Sequence, residues 1–356
     1  MRTQVTETGL VFAAGQEPQP RIMISQLHGI RDTILTLPVV AAIRESYPRA
    51  FIAWVVEGAA AAVVRNHCYL DATVIVEDGW HLTPTRLWGL RRRLRALNFD
   101  TAIDFQGSFR SALACYLAGA PRRIGDSERF ACKLGRRVNN IPVSVRQTYI
   151  TDRALALLKP LAINQPAIRH HLPISLEANA WARVWRRGHV GRLAIVHVDA
   201  SNESTCWPLD RFAAVIEYLT GFHHTNTVLA WRDERERELA LELVELSGNH
   251  ATLAPETDLT HLAAMIKHAD VFLGVDSIPL QLAVATGTPT VSLYDPVQAA
   301  FTAPHGSQHA VIRMASSSAR SRNYGGSRFG AASSIQSEEV CRQLDRLLQP
   351  ADLLAA

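Results

Sequence analysis

Short β-prone runs, each followed by a polar loop and an amphipathic helical stretch, recur along this chain in two separate series. That alternation leaves few folds open. Strands that take turns with helices pair in parallel, through right-handed crossovers, with helices on both faces of the sheet. The first series opens at Arg21–Leu27 (RIMISQL) and runs through a loop, His28 to Arg31, into an amphipathic stretch that starts at Asp32 (TILTLPVVAAIRESY). It continues with strands at Phe51–Val56, Ala72–Val76 and Thr101–Asp104 and a basic helix over Pro84–Leu97. The second series starts near Arg192 with LAIVHV and continues with TVLAW at Thr227–Trp231, VFLGV at Val271–Val275 and TPTVSLYDP. The prediction is an α/β protein of two domains with parallel sheets. They cover 21–165 and 173–335, after a loose leader over 1–20 and before a terminal helix over 336–350 that is expected to pack back on the first domain. A chain of 356 residues is long for one ordinary core and suits two.

Composition removes several alternatives. Hydrophobic residues make up 47% and charged residues 20%, ordinary for a soluble globular enzyme. No apolar run reaches the roughly 18–20 residues that span a bilayer, and the N-terminal stretch carries no export-signal pattern, so a cytoplasmic protein is expected. Five scattered cysteines, Cys68, Cys115, Cys132, Cys206 and Cys341, have neither CxxC nor metal-site spacing and read as reduced thiols. The fourteen histidines show no ligand spacing, and none is given a role. Residues 315–334 (ASSSARSRNYGGSRFGAASS) are low in complexity and read as a flexible loop. Residues 1–160 hold 21 Lys and Arg against 13 Asp and Glu, a net of +8, whereas 161–356 net to −4. A basic first half points to an anionic partner there. Nucleic acid is not that partner, because the basic residues lack the interleaved aromatics of a known binding module.

In parallel α/β sheets, ligands bind beyond the carboxyl ends of the strands. Asp32, Gln106, Ser201, Glu234 and Asp276 all fall just after predicted strands, which places them on one candidate cleft. There is no GxGxxG after the first strand and no GxxxxGK[ST], so dinucleotide and P-loop chemistry lose support.

Taken in order, the motifs resemble the lipopolysaccharide heptosyltransferases of glycosyltransferase family 9, and the type I enzymes more than others. The resemblance runs from about Arg21 to Leu348. Its carriers are the strand–loop–Asp–helix with Thr36-Leu37-Pro38, Trp54 to Glu57, and Asn98 to Leu113. In the second half they are Trp207-Pro208, the W-x-x-E-x-E of Trp231, Glu234 and Glu236, and the GVDS strand end followed by TP-x-V-x-LY-x-P. The resemblance implies a GT-B fold, two Rossmann-like domains facing across a cleft. It also implies an inverting, metal-independent transfer of heptose from ADP-L-glycero-D-manno-heptose to the Kdo-lipid A inner core, at the inner face of the cytoplasmic membrane. The lack of a DxD-like motif agrees with metal independence, and no cofactor is expected.

Residue by residue, Asp32 matches the family's catalytic base. Ser201, Thr205, Asp276 and Ser277 match positions at the donor phosphates, Glu234 an acid near the ribose, and Gln281 a further donor position. Arg31, Gln106, Arg110, Arg91 and Arg92 are candidates for the anionic acceptor, since a guanidinium grips carboxylate and phosphate bidentately. As plain structure, Asp32 would cap a helix and the arginines would form a solvated face. Four positions depart from the family. Arg31 stands where glycine is usual. Thr205 replaces a phosphate-binding lysine. Asp276-Ser277-Ile278-Pro279-Leu280-Gln281 lacks the family's glycine and histidine. Tyr294-Asp295-Pro296-Val297 replaces a YGPT turn. Two readings follow: Arg31 stands in for the missing lysine, with donor or acceptor altered, or the fold persists as a catalytically impaired protein that binds sugar nucleotide or lipopolysaccharide. A nucleotide-sugar epimerase, also built from two such domains, fits the motif order less well.

Overall fold

The computed structural model describes residues 19–128, 131–199, 207–314 and 334–349. The chain divides into two compact units, Met1–Pro173 and Ile174–Ala356. The first runs β1 (Arg21–Ser25), α1 (Ile30–Thr36), α2 (Pro38–Ser46), β2 (Phe51–Glu57), α3 (Ala61–Val64), β3 (Ala72–Val76), α4 (Pro84–Ala96), β4 (Thr101–Asp104), α5 (Phe109–Ala118), β5 (Arg122–Asp126), α6 (Lys133–Val138), β6 (Ile141–Val143) and α7 (Ile150–Ala156). The second runs α8 (Leu176–Arg187), β7 (Arg192–His197), α9 (Leu209–His223), β8 (Thr225–Ala230), α10 (Glu234–Leu246), β9 (Ala251–Leu253), α11 (Leu259–Lys267), β10 (Val271–Val275), α12 (Ile278–Thr286), β11 (Thr290–Tyr294), α13 (Pro296–Thr302), β12 (His309–Arg313) and α14 (Ser337–Leu348).

Each unit holds a six-stranded sheet with parallel pairing, ordered β3-β2-β1-β4-β5-β6 in the first and β12-β11-β10-β7-β8-β9 in the second. Counted within a unit, both orders are 3-2-1-4-5-6, with the switch point between the first and fourth strands. Covered by helices on both faces, the central strands are mainly apolar, and β2 and β10 bury almost every residue. Registers bring the strand ends level. Ser25 pairs with Val55 and with Asp104, so the loops after β1, β2 and β4 leave side by side. His197 likewise pairs with Ala230 and Gly274, which aligns the loops after β7, β8 and β10.

Three features differ from the sequence reading. The stretch expected as one helix from Asp32 is two, because Pro38 has no N–H to continue α1 and starts α2 as its first residue. The edge strands β5, β6, β9 and β12 go unread, being short or interrupted by Pro142, Gly125 and charged residues. The expected packing of the terminal helix on the first domain is also corrected. Val340, Leu344 and Leu348 of α14 lie in the core of the second unit, α14 packs on α9, and Tyr218 on α9 donates to Asp345 at 2.9 Å.

Candidate active site

The loop after β1 is fixed from three sides. Gly29, at φ 89°, turns the chain into α1 in a conformation that disfavours any residue with a Cβ. The backbone's demand for glycine therefore falls here and not at Arg31. Gln106, from the loop after β4, accepts from the Leu27 amide at 3.0 Å and donates to the His28 carbonyl at 3.3 Å. Gln26 donates to the same carbonyl at 3.1 Å, and its own carbonyl accepts from the Trp54 indole at 2.9 Å. Gln106, expected at the acceptor, clamps the loop that leads into α1 and Asp32.

Asp32 is not the helix cap that a structural reading would make it. The cap position is Gly29, with no side-chain cap bond, and Asp32 sits in the first turn of α1, where the positive end of the helix favours a carboxylate. Its side chain is 41% exposed, with Arg31 Nε 3.6 Å from Oδ1. From α7, which packs on α1, Arg153 adds a second positive charge that interacts with Asp32 and Asp126. Burial lowers the pKa of Arg153, and the two carboxylates work against that fall.

Beside this lies a cluster that the sequence reading named only through Arg110. Glu57, at the end of β2, is buried and accepts from the Trp80 indole at 2.7 Å and from Arg110 Nη1 at 2.6 Å. Arg110 Nη2 then meets His28 Nδ1 at 3.1 Å. Guanidinium has no acceptor, so His28 Nδ1 accepts and its ring proton sits on Nε2. Burial and the Arg110 charge lower the pKa of His28, outweighing Glu57 and Asp32. Arg110 is placed on α5 by a capping box, in which Ser108 and Ser111 each accept from the other's amide. Arg91 and Arg92 contribute no bond to this cluster and lie exposed on α4.

In the second unit, Ser201 and Thr205 lie outside the described residues. The start of α12 offers an anion less than a helix terminus usually does. Ser277 caps the Leu280 amide at 3.4 Å, Pro279 has no N–H, and the Gln281 amide bonds the Ser277 carbonyl, which leaves Ile278. Asp276 accepts from the Thr302 hydroxyl at 3.2 Å. Gln281, expected at the donor, is 1% exposed and donates to the Tyr294 hydroxyl and the Thr302 carbonyl, each at 3.0 Å. These two bonds tie α12 to β11 and α13.

Glu234, matched to an acid near the ribose, opens α10. It is exposed at the first position of α10 and pairs with Arg237 at 2.7 Å. The inward carboxylate is Glu236, 1% exposed, which accepts from the Arg232 amide at 2.8 Å, from the Arg232 guanidinium, and from His197 Nε2 at 3.1 Å. Burial alone would raise its pKa, but His197 and Arg232 together hold it down at about 2. Asp233 and Glu236 have the spacing of an N-cap and its third helical residue, and Asp233 accepts from the Glu236 amide. That spacing is the signal that could have singled out Glu236. Among the described residues, no three His, Cys, Asp or Glu side chains converge as metal ligands would, and no helix is long and apolar enough to cross a membrane.

Comparison with known proteins gives this geometry a context. The sequence profile of glycosyltransferase family 9 (heptosyltransferase) matches residues 87–328, more than half of the chain. Lipopolysaccharide heptosyltransferase 3 of Escherichia coli K12 is 26% identical over 299 residues, covering 78% of this chain and 82% of the relative. Lipopolysaccharide heptosyltransferase 1 of the same strain is 23% identical over 312 residues, covering 82% and 93%. Among solved structures, a family 9 glycosyl transferase from Veillonella parvula superposes with a TM-score of 0.79 at 22% identity, over 92% of this chain and 97% of that one. An E. coli heptosyltransferase solved with ADP-2-deoxy-2-fluoro heptose gives 0.71 at 20% identity, over 92% and 99%. These superpositions carry the GT-B fold over most of the chain. With the profile reaching into both units and matching more than half of the chain, the chain belongs to glycosyltransferase family 9, the heptosyltransferases.

Proposed function

We propose that this glycosyltransferase moves a heptose from an ADP-L-glycero-D-manno-heptose-type donor to the Kdo-lipid A inner core of lipopolysaccharide, by an inverting, metal-independent displacement. The observation that carries the reading is Asp32, a solvent-accessible carboxylate in the first turn of α1 beside the Glu57–Arg110–His28 cluster. Asp32 takes the proton of the acceptor hydroxyl as that oxygen attacks the anomeric carbon. The bond from that carbon to the diphosphate breaks, and ADP leaves with the electron pair. Relatives solved with ADP and with an ADP-heptose analogue support the donor class. The test supplies ADP-heptose and Kdo-lipid A to the purified protein and follows ADP release together with the mass of the glycolipid. Product heavier by one heptose supports the reading, and its absence with both ligands bound rejects it.

Arg110 is the proposed acceptor anchor, pre-oriented by Glu57 and presented to a carboxylate or phosphate. Charge-assisted hydrogen bonds contribute about 1.5–3 kcal/mol. Arg110→Ala is therefore expected to raise the acceptor KM by roughly 10–100-fold, with a smaller change in kcat. A kcat loss at unchanged KM would remove Arg110 from the acceptor site.

A second reading has its own observation. With Ser277, Pro279 and Gln281 committed as described, α12 grips a diphosphate less than the family pattern allows, which favours a changed sugar or a binding protein. If Arg31 supplies the missing charge, Arg31→Ala weakens ADP binding measured by calorimetry. Unchanged affinity would end the compensation idea.

A further inference from the structure

We infer that the outer face of α4 is a docking surface for an anionic phospholipid bilayer. The helix carries Arg86, Arg91, Arg92, Arg93 and Arg95 and no acidic residue. Leu90 and Leu94 face the core, with Leu87 packed beside them. Trp88, Arg91, Arg92 and Arg95 recur at spacings of three, four and seven, so they share a second face. On that face Trp88 is 65% exposed, and the Arg92 guanidinium lies 5.8 Å from the centre of its ring. Leu82, in the turn before α4, is 74% exposed.

Two of the arginines are engaged: Arg93 donates to the Ile75 carbonyl, and Arg86 pairs with Glu77 at 3.5 Å. Arg91 and Arg92 have no acidic partner among the described residues. A large exposed indole between arginines is costly in water. It is favourable where an apolar body and a wet, negative surface meet, which is the headgroup layer of a membrane. The turn before α4 is tied to the candidate site, since Trp80 at its start donates to Glu57, which also holds Arg110. A bilayer seated on α4 thus lies against the unit that carries the proposed acceptor anchor.

This inference deepens the reading of a membrane-borne acceptor. Its test uses neither donor nor acceptor, so docking and transfer can fail separately. Full-length protein is sedimented with vesicles of phosphatidylcholine alone, of equal parts phosphatidylcholine and phosphatidylglycerol, and of phosphatidylcholine doped with Kdo-lipid A. Binding is expected to the phosphatidylglycerol vesicles, weakening as salt rises, and not to phosphatidylcholine alone. Each surface charge contributes about fivefold, so Arg91→Gln with Arg92→Gln lowers the partition coefficient roughly 30-fold. Trp88→Ser lowers it several-fold at all salt concentrations. These side chains are exposed, so thermal melts should match wild type and exclude misfolding. Binding only to Kdo-lipid A vesicles would make the face an acceptor subsite and overturn the inference. So would wild-type binding in both variants, or none to the phosphatidylglycerol vesicles.

Discussion

Asp32→Ala is expected to lower the transfer rate by roughly two to four orders of magnitude while leaving ADP binding within a factor of two or three. Asp32 forms no side-chain cap bond, is 41% exposed and lies in the first turn of α1, so its removal leaves the helix start, held by Gly29 and the Gln106 clamp, in place. Asp32→Asn keeps the volume and removes the base, and should fall nearly as far. The measurement is ADP release under single-turnover conditions with donor saturating, beside a calorimetric titration of ADP. If both variants retain more than a tenth of wild-type rate, Asp32 is not the base. If ADP affinity collapses with the rate, Asp32 belongs to donor binding.

The second large effect lies on stability. Glu236→Gln should cost the second unit about 3 kcal/mol near neutral pH, because a carboxylate held at about 2 is stabilised by about 1.4 kcal/mol per pH unit below its ordinary 4.5. For a folding unit of this size that is a fall of roughly 6–12 °C in melting temperature. The sign follows from linkage. The folded-state pKa lies below the unfolded one, so the stabilisation is fully present above about 4.5 and disappears as pH falls towards 2. The gap between wild type and Glu236→Gln should therefore close as pH falls from about 4.5 towards 2. Calorimetry across that range decides it. A gap that persists at the lowest pH would show that shape, and not charge, makes Glu236 matter. The substitution leaves the Arg232 guanidinium and His197 facing each other without a carboxylate between them, which is where buried ion pairs do their damage when broken.

Much of this architecture was legible because both series bury their central strands on two faces, and runs such as LAIVHV and VFLGV have few other places to go. Edge strands such as Ile141–Val143 carry no such run, and only pairing with a neighbour defines them. In the site, Asp32 could be placed from sequence because a strand end and a helix start bracket it. The partners of Arg110 could not. Glu57 and His28 come from 53 and 82 residues earlier in the chain, and parallel register alone brings them level. Glu234 and Glu236 show the limit from the other side. Two residues apart on a helix they point in different directions, and the helix phase, set by Asp233 as its cap, decides which is buried. Gln281, placed at the donor only through the resemblance, has interior partners that no local pattern announces: the Tyr294 hydroxyl and the Thr302 carbonyl.

The seating of α14 has a consequence for how the molecule is made. The indole of Trp207, just before α9, and the guanidinium of Arg211 both donate to the carbonyl of Ile335, two residues ahead of α14, and Val340, Leu344 and Leu348 complete the same core. During synthesis, the first unit has its six strands once Val143 has been added, long before the second sheet exists. The second has its six described strands at Arg313 but lacks a wall of its core until α14 follows. Domains fold as units while the chain grows, so the two halves mature at different moments. The first is free to fold on the ribosome, whereas the core of the second stays open along α9 until α14 arrives. A ribosome that stalls beyond Arg313 would release a chain with one finished half and one open apolar face, a natural target for chaperones and proteases.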